Sequence, residues 1–238
     1  MAESIEHIVI TGASQGIGAA IARKWAQSFP GSRISLLARD ETKLENLAAD
    51  CQDFGADASA FPCDLANSEA IKEACLAIYD KNGIPTVLVN NAGTFEPGGI
   101  TDTSFDDFDR QIQVNLTSAF QMTALLIPYM IEAGRGHVFF MASVASISAY
   151  PGSIAYCSSK HGILGLARAI REETQELGIR VTSLLPGATL TPTWSGTDLP
   201  KERFMPPVDI ANAVLSAFKM SERTVVEEII LRPQLGDI

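Results

Sequence analysis

Three residues in the second half of the chain have the types and the spacing of an acid–base site. Tyr156 precedes Lys160 by four positions, and Ser143 lies thirteen residues before the tyrosine. Residues four apart share one helix face, so the Lys160 ammonium can lie beside the Tyr156 phenol and stabilise its ionised form. Lowering a phenol pKa from ~10 by about three units takes roughly 4 kcal/mol. The pair predicts a tyrosine that acts as an acid, although a tyrosine and a lysine on an exposed helix face would show the same spacing.

The elements that must position these residues alternate along the chain. The predicted strands are 7–11, 33–38, 57–61, 86–90, 137–142, 179–185 and 226–231. The predicted helices are 17–29, 41–54, 67–81, 105–132, 155–177 and 207–220, several with apolar residues at helical spacing. Strands that alternate with helices indicate a parallel sheet covered on both faces. We therefore predict an α/β fold, a single doubly wound (Rossmann) domain over residues 1–238 whose seven-stranded parallel sheet is flanked by helices.

Composition narrows the classes of partner. The 238 residues are 46% hydrophobic and 19% charged, with a net charge of −10 and a pI near 4.8. An acidic surface repels nucleic acids and anionic membranes, so we expect a small-molecule partner, no nucleic acid and no membrane. The N-terminus has no basic and apolar leader pattern, which favours a cytoplasmic location.

The cysteines and histidines do not have the spacing of a metal site. The four cysteines, Cys51, Cys63, Cys75 and Cys157, lack a CxxC pair, and the three histidines lie far apart. We expect reduced, structural thiols and neither a metal nor a serine–histidine triad.

The first predicted strand runs directly into a glycine-rich turn, TGASQGIG at 11–18, that opens a helix. Glycines at 12, 16 and 18 permit a tight turn and a close approach of backbone to a pyrophosphate. The helix N-terminus adds free N–H groups and a partial positive charge. The turn predicts a dinucleotide site, to which we assign Gly12, Ser14, Gln15, Gly16, Ile17 and Gly18.

The end of the second strand indicates which dinucleotide is bound. An acidic residue there would bind a free 2′-hydroxyl of the adenosine ribose, but this chain has Arg39, which can pair with a 2′-phosphate. The pattern favours NADP (NADPH) over NAD, although a solvated loop arginine beside Asp40 and Glu41 is the alternative. Asp64 and Leu65, after the third strand, are expected near the adenine, and Asp64 could instead cap the next helix.

Several motifs occur together in one order. They are TGASQGIG at 11–18, NNAG at 90–93, Asn115 within QVNL, Ser143, YCSSK at 156–160 and PG at 186–187. In order and spacing the chain resembles the short-chain dehydrogenase/reductase family over nearly its whole length. The resemblance implies a catalytic tetrad of Asn115, Ser143, Tyr156 and Lys160.

The resemblance also implies a role for each residue. Tyr156 would protonate the carbonyl oxygen, Ser143 would bind it, and Lys160 would hold the nicotinamide ribose while tuning the tyrosine. Asn115 would link Lys160 to a water chain. The remaining expected cofactor contacts are Asn90, Ala92, Gly93, Pro186, Gly187, Thr189 and Thr191. Asn115 in mid-helix and Ser143 at a strand end could otherwise be structural.

The segment 188–207 is a long connection with four prolines and is predicted to be a substrate lid. Trp194 could stack on a planar substrate or serve only as the lid's hydrophobic anchor. Phe95, Tyr150 and Pro151 could supply other pocket walls. We thus expect Ser143, Tyr150, Tyr156 and Trp194 to contact the substrate.

The C-terminal sequence bears on the substrate class. TPTW at 191–194 and RTVVEEIILRP at 223–233 are similar to bacterial sepiapterin reductase-like members of the family. This likeness implies NADPH-dependent reduction of a carbonyl. Reduction of a 3-oxoacyl thioester is the second enzyme reading, and a catalytically silent NADP-binding sensor is the third.

Apolar residues on the helices 105–132 and 155–177 exceed what is needed to cover a sheet. We take Leu125, Leu126, Ile163 and Leu166 as a second apolar stripe. Because family members commonly pair these helices across subunits, we expect a homodimer or homotetramer.

Overall fold

Seven parallel strands form the centre of the computed structural model, which describes residues 5–238. The strands are β1 (His7–Thr11), β2 (Arg33–Ala38), β3 (Asp57–Pro62), β4 (Val87–Asn90), β5 (Gly136–Met141), β6 (Ile179–Pro186) and β7 (Glu228–Leu231). Their order is β3-β2-β1-β4-β5-β6-β7. The order reverses between β1 and β4, which is where a doubly wound fold binds its ligand. The predicted fold class is confirmed, and every strand boundary lies within two residues of its predicted position.

The strands of the sheet are apolar because helices cover both faces. β1, β4 and β5 are buried along their whole length, whereas β7 at the edge is only half-buried. Parallel strands buried on both faces contain nearly continuous apolar runs, which explains why the sequence predicted them well. Two hydrophobic clusters, one on each face, form the core.

The described residues contain seven α-helices. They are α1 (Gly16–Ser28), α2 (Glu41–Asp53), α3 (Ser68–Asn82), α4 (Phe105–Ile112), α5 (Ser118–Glu132), α6 (Ile154–Thr174) and α7 (Pro207–Phe218). Asp40, Asn67 and Ser104 each accept a backbone N–H at the start of α2, α3 and α4. Since Asn67 caps α3, the alternative helix-capping role of Asp64 is wrong. Asp64 instead accepts the N–H of Ala66 at 3.1 Å.

The predicted helix 105–132 is divided into α4 and α5 by a π-helix at Gln113–Thr117. Wider turns of this kind occur mostly as single insertions and often at functional sites. Asn115 lies within this turn and is fully buried. Helical periodicity does not reveal the π-helix, because the residues on both sides continue the same apolar pattern.

The continuous run Phe105–Glu132 is long and apolar enough, by length and composition alone, to cross a membrane. A core helix meets the same test. Here Met122, Leu126 and Met130 are buried in the hydrophobic cluster on one face of the sheet. One face of this run is therefore part of the core.

Candidate active site

The carboxyl end of β5 leads into the first candidate residue, Ser143. Its hydroxyl accepts the N–H of Ala145 at 3.1 Å, and the Ser146 hydroxyl accepts the N–H of Ser143 at 3.1 Å. These reciprocal bonds fix the start of a short 3-10 turn. The Ser143 hydroxyl also donates to the Pro186 carbonyl at 3.4 Å. Ser143 is thereby held between the ends of β5 and β6.

Tyr156 and Lys160 lie in the first turns of α6, as their spacing predicts. The Lys160 Nζ is 5.6 Å from the centre of the Tyr156 ring and donates to the Met141 carbonyl at 2.7 Å. Lys160 is 4% exposed. The structure therefore brings the ammonium to the end of β5, close to the Tyr156 ring.

The charges at this site are set mainly by burial. Removal from water lowers the pKa of Lys160 to about 8. Burial also raises the pKa of Tyr156 above its ordinary value, while the hydrogen bond with Ser143 opposes this rise. The expectation that Lys160 depresses the tyrosine pKa is therefore wrong for the protein's own groups, because burial of the phenol is the larger effect.

Asn115 faces the loop that follows β4. Its Oδ1 accepts the N–H of Thr94 at 2.7 Å, and its Nδ2 donates to the Thr94 carbonyl at 2.9 Å. A Cβ placed on Gly93 would lie 3.4 Å from the Asn115 Oδ1 and 3.6 Å from the Lys160 Nζ. Gly93 thus lies close to both side chains, and the four candidate residues come together at the carboxyl ends of the central strands.

The glycine-rich turn is tied to the loop after β4. The Asn91 Nδ2 donates to the carbonyls of Thr11 and Gly12, at 2.8 and 3.2 Å, and the Thr11 hydroxyl accepts the N–H groups of Asn91 and Ala92. A Cβ on Gly18 would lie 2.5 Å from the Gly12 carbonyl oxygen. Close approach therefore requires glycine at position 18. The neighbouring Asn90 donates to Thr123 at 2.9 Å, in keeping with a role in bracing the sheet.

The turn fits a dinucleotide. Helix α1 begins at Gly16 with no side chain that caps it and no acidic residue in its first turn, unlike α2, α3 and α4. Its N–H groups are available to an external anion. Gly12 and Gly16 have φ of 64° and 58°, a left-handed conformation that glycine adopts readily. Ser14, Gln15 and Ile17 lie in the same turn and are at least partly accessible.

Arg39 is exposed at the end of β2. Its neighbour Asp40 caps α2 and pairs with Lys43 at 3.0 Å, so this carboxylate is engaged elsewhere. Of the two acidic neighbours that made a solvated loop arginine plausible, Asp40 is thus occupied. Asp64 and Leu65 lie just after β3, the strand next to β2. Asp64 is exposed and Leu65 is buried.

The segment after β6 closes the same side of the site. The Gly187 N–H donates to the Leu231 carbonyl at 2.8 Å, and the Thr189 hydroxyl donates to the Gly187 carbonyl at 3.0 Å. A Cβ on Gly16 would lie 3.1 Å from the Thr191 Cγ2. Thr191 therefore meets the glycine-rich turn, and Pro186 meets Ser143.

The residues predicted to line the substrate pocket differ in whether they lie near Ser143 and Tyr156. The Tyr150 hydroxyl donates to Asp237, and its ring lines a groove of about 470 Å³ whose lining includes neither Ser143 nor Tyr156. Trp194 packs against Phe204, with ring centres 5.1 Å apart, which fits the hydrophobic-anchor reading. Phe95 does contact Tyr156, edge to face with ring centres 5.2 Å apart.

Sequence reasoning missed several residues that organise the site. Thr11 and Asn91 join the glycine-rich turn to β4, and Thr94 and Ser159 bind the Asn115 side chain. The position of Asn91 within NNAG was a usable signal. The partners of Asn115 were not foreseeable, because they depend on contacts between distant segments.

Comparisons with known proteins agree with this geometry. The family model described as short chain dehydrogenase matches residues 6–201. A sepiapterin reductase of Chlorobaculum tepidum is 36% identical over 98% of this chain and 99% of its own length.

Two solved structures are similar over nearly their whole length. An alcohol dehydrogenase of the archaeon Thermococcus sibiricus, complexed with 5-hydroxy-NADP, has a TM-score of 0.91 at 29% identity and covers 99% of each chain. A metagenomic short-chain oxidoreductase in complex with NADP has a TM-score of 0.85 at 32% identity, over 96% of this chain and 97% of its own. With its fold, its motifs and this match, the chain belongs to the short-chain dehydrogenase family of oxidoreductases.

Proposed function

We propose that this oxidoreductase uses NADPH to reduce a carbonyl group of a small molecule, with sepiapterin as the leading substrate. The observation that carries the proposal is the convergence of Ser143, Tyr156 and Lys160 beside an uncapped, glycine-rich helix start. The sepiapterin reductase relative and the NADP-bound structural neighbours support the choice of substrate and cofactor.

NADPH would supply a hydride to the carbonyl carbon, which leaves negative charge on the carbonyl oxygen. Tyr156 donates its proton to that oxygen, and Ser143 binds the oxygen by a hydrogen bond. Burial raises the pKa of Tyr156, so the phenol holds its proton until the developing oxyanion takes it. Lys160, whose Nζ lies 5.6 Å from the centre of the Tyr156 ring, would hold the nicotinamide ribose on this side of the site.

The rest of the cofactor site follows from the chain's own groups. The N–H groups at the start of α1 hold the pyrophosphate, and Arg39 pairs with the 2′-phosphate. Segment 188–207, with Trp194 anchored on Phe204, covers the substrate and limits the access of water. Asn115 positions the lysine side of the site.

The test is NADPH oxidation with sepiapterin, small diketones, acetoacetyl thioesters and hydroxysteroid ketones. We expect turnover of sepiapterin or a diketone, and a 10²–10⁴-fold loss in Tyr156→Phe with NADPH affinity retained. The matched control is Tyr129→Phe, which removes a hydroxyl from a tyrosine stacked on Tyr79. Faster turnover of the acetoacetyl thioester would favour reduction of a 3-oxoacyl thioester as the function. NADPH binding without turnover of any carbonyl would favour the hypothesis of a catalytically silent NADP-binding sensor.

A further inference from the structure

The Ser159 side chain lies where the catalytic helix meets the π-helix. It immediately precedes Lys160 and is one helical turn after Tyr156. We propose that Ser159 is a positioning residue that holds Asn115 and the first turns of α6 in one fixed arrangement. The proposal rests on the proposed function, because Asn115 and Tyr156 belong to that site.

The hydrogen bonds of Asn115 define how its amide is oriented. Its Oδ1 accepts from the Thr94 N–H at 2.7 Å, which makes the other atom the nitrogen. The two hydrogens of that nitrogen go to the Thr94 carbonyl at 2.9 Å and to the Ser159 Oγ at 3.0 Å. Both donors of the amide are therefore used, and one of them depends on Ser159.

The orientation of the Ser159 hydroxyl is also fixed. It donates its proton to the Tyr156 carbonyl at 2.7 Å. A lone pair must then face Asn115, since a hydroxyl has one proton and two acceptor positions. The bonds run in one direction, from Asn115 through Ser159 to the backbone of Tyr156. This path connects three segments: the loop after β4, the π-helix and α6.

Burial makes these bonds hard to replace. Asn115 and Ser159 are both fully buried, so bulk water does not reach either group in the intact site. A buried donor left without an acceptor is costly, and removal of the Ser159 hydroxyl orphans one N–H of Asn115. The Asn115 amide would then turn or shift, and a Cβ on Gly93 would lie within 3.6 Å of both its Oδ1 and the Lys160 Nζ. The loss is therefore transmitted to the charged group of the site.

The chain provides a matched control in the preceding residue. Ser158 has the same side chain, lies on the same helix turn and is exposed. Ser158→Ala and Ser159→Ala thus remove the same group at adjacent positions, one facing solvent and one facing Asn115.

We expect Ser159→Ala to lower kcat about ten-fold or more, with the NADPH KM changed less than about two-fold, and Ser158→Ala to change neither. A loosened junction admits water to Lys160, so the alkaline limb of kcat/KM for NADPH moves to higher pH in Ser159→Ala only. Equal kcat values and pH profiles for the two variants would overturn the proposal.

Hydrogen exchange separates this proposal from the proposed function. The Thr94 amide is protected in the wild type by Asn115, and we expect at least a ten-fold faster exchange in Ser159→Ala but not in Ser158→Ala. Unchanged protection overturns the proposal even if the wild type reduces carbonyls. If the wild type reduces none, the proposed function fails and the exchange still decides the role of Ser159. If Ser159→Ala does not fold, Ser159→Cys, with a weaker acceptor of similar size, decides by the same measurements, with intermediate effects expected.

Discussion

The hydroxyl of Tyr150 donates a 2.8 Å hydrogen bond to the carboxylate of Asp237, one residue before the end of the chain. Arg232 pairs with the same carboxylate, and the Arg203 guanidinium donates to the Asp237 carbonyl at 3.4 Å. A Cβ on Gly187 would lie 3.5 Å from the Asp237 Oδ1. The C-terminal tail thus connects the loop before α6, the predicted lid and the turn after β6.

We predict that Tyr150→Phe and Asp237→Asn each raise the KM for the carbonyl substrate and change kcat less than about two-fold. Because these groups are largely exposed, their bond is worth up to about 1 kcal/mol, or about five-fold in KM. Steady-state kinetics of both single variants and the double variant measure it. The double variant should show little more than one single effect. Fully additive effects, or an equal rise in the control Gln234→Ala, would contradict a shared contact.

A second prediction concerns the alkaline limb of activity. Burial lowers the pKa of Lys160 to about 8, so the free enzyme loses this positive charge as the pH rises through about 8. The value of kcat/KM for NADPH, which reports the free enzyme, should fall over the same range. In Lys160→Arg the remaining activity should lack this limb, because a guanidinium stays charged. Lys72→Arg, on an exposed pair with Glu69, is the control. An identical limb in Lys160→Arg would assign it to another group.

The sequence predicted the strands, the glycine-rich turn and the Tyr156–Lys160 pair, because each depends on residues close together in the chain. It did not predict the π-helix around Asn115, which is stabilised by Thr94 from another loop. The bond between Tyr150 and Asp237 joins residues 87 positions apart, and no periodicity encodes it. The sequence did not predict that the pKa of Tyr156 is raised, because spacing reveals a neighbouring charge but not the depth of burial.

The predicted apolar stripe is wrong at two of its four residues, for the same reason. Leu126 and Ile163 are each 1% exposed and belong to the core, so their assignment to a second stripe is wrong. Leu125 and Leu166 are partly buried. A helical pattern gives the faces of a helix, but only the packed structure gives the number of faces that neighbours cover.

The third prediction concerns the choice between NADPH and NADH. Arg39→Ala should weaken NADPH binding about ten- to a hundred-fold and leave NADH binding unchanged, because only NADPH has the 2′-phosphate. Fluorescence titration of both cofactors measures the effect. Arg23→Ala removes the same charge from an arginine already paired with Asp50 and should change neither affinity. Equal losses for the two cofactors in Arg39→Ala would make Arg39 structural.

The fourth prediction concerns stability in acid. Burial lowers the pKa of His7 to about 4 and that of His137 to about 2. Below pH 6.5 the unfolded chain binds protons at these positions while the folded chain does not. The free energy of unfolding therefore decreases as the pH is lowered from 6.5. Each histidine contributes up to ~1.4 kcal/mol per pH unit, or about 3 kcal/mol between pH 6.5 and 4. Urea unfolding of His137→Gln should show a shallower pH dependence. The exposed His161→Gln is the control, and an equal slope in both variants would contradict the argument.

The last prediction is that the chain forms a homodimer or homotetramer through α5 and α6. Only 39% of the most apolar 18-residue stretch of the helical run Phe105–Glu132 is buried, and Phe120 is 53% exposed. An exposed apolar face on a helix beside α6 would be covered in an isologous contact, which also braces the helix that carries Tyr156.

Light scattering at micromolar concentration measures the assembly. We expect at least twice the chain mass of 25.5 kDa, and dissociation in Phe120→Glu, because burying a carboxylate in an apolar contact is unfavourable. Phe54→Glu, at the end of α2, changes a 41% exposed phenylalanine in the same way and should leave the assembly intact. Dissociation should lower turnover together with mass, since the braced helix loses its support. A fully active wild-type species of 25.5 kDa would show that the face is ordinary surface and that catalysis does not depend on assembly.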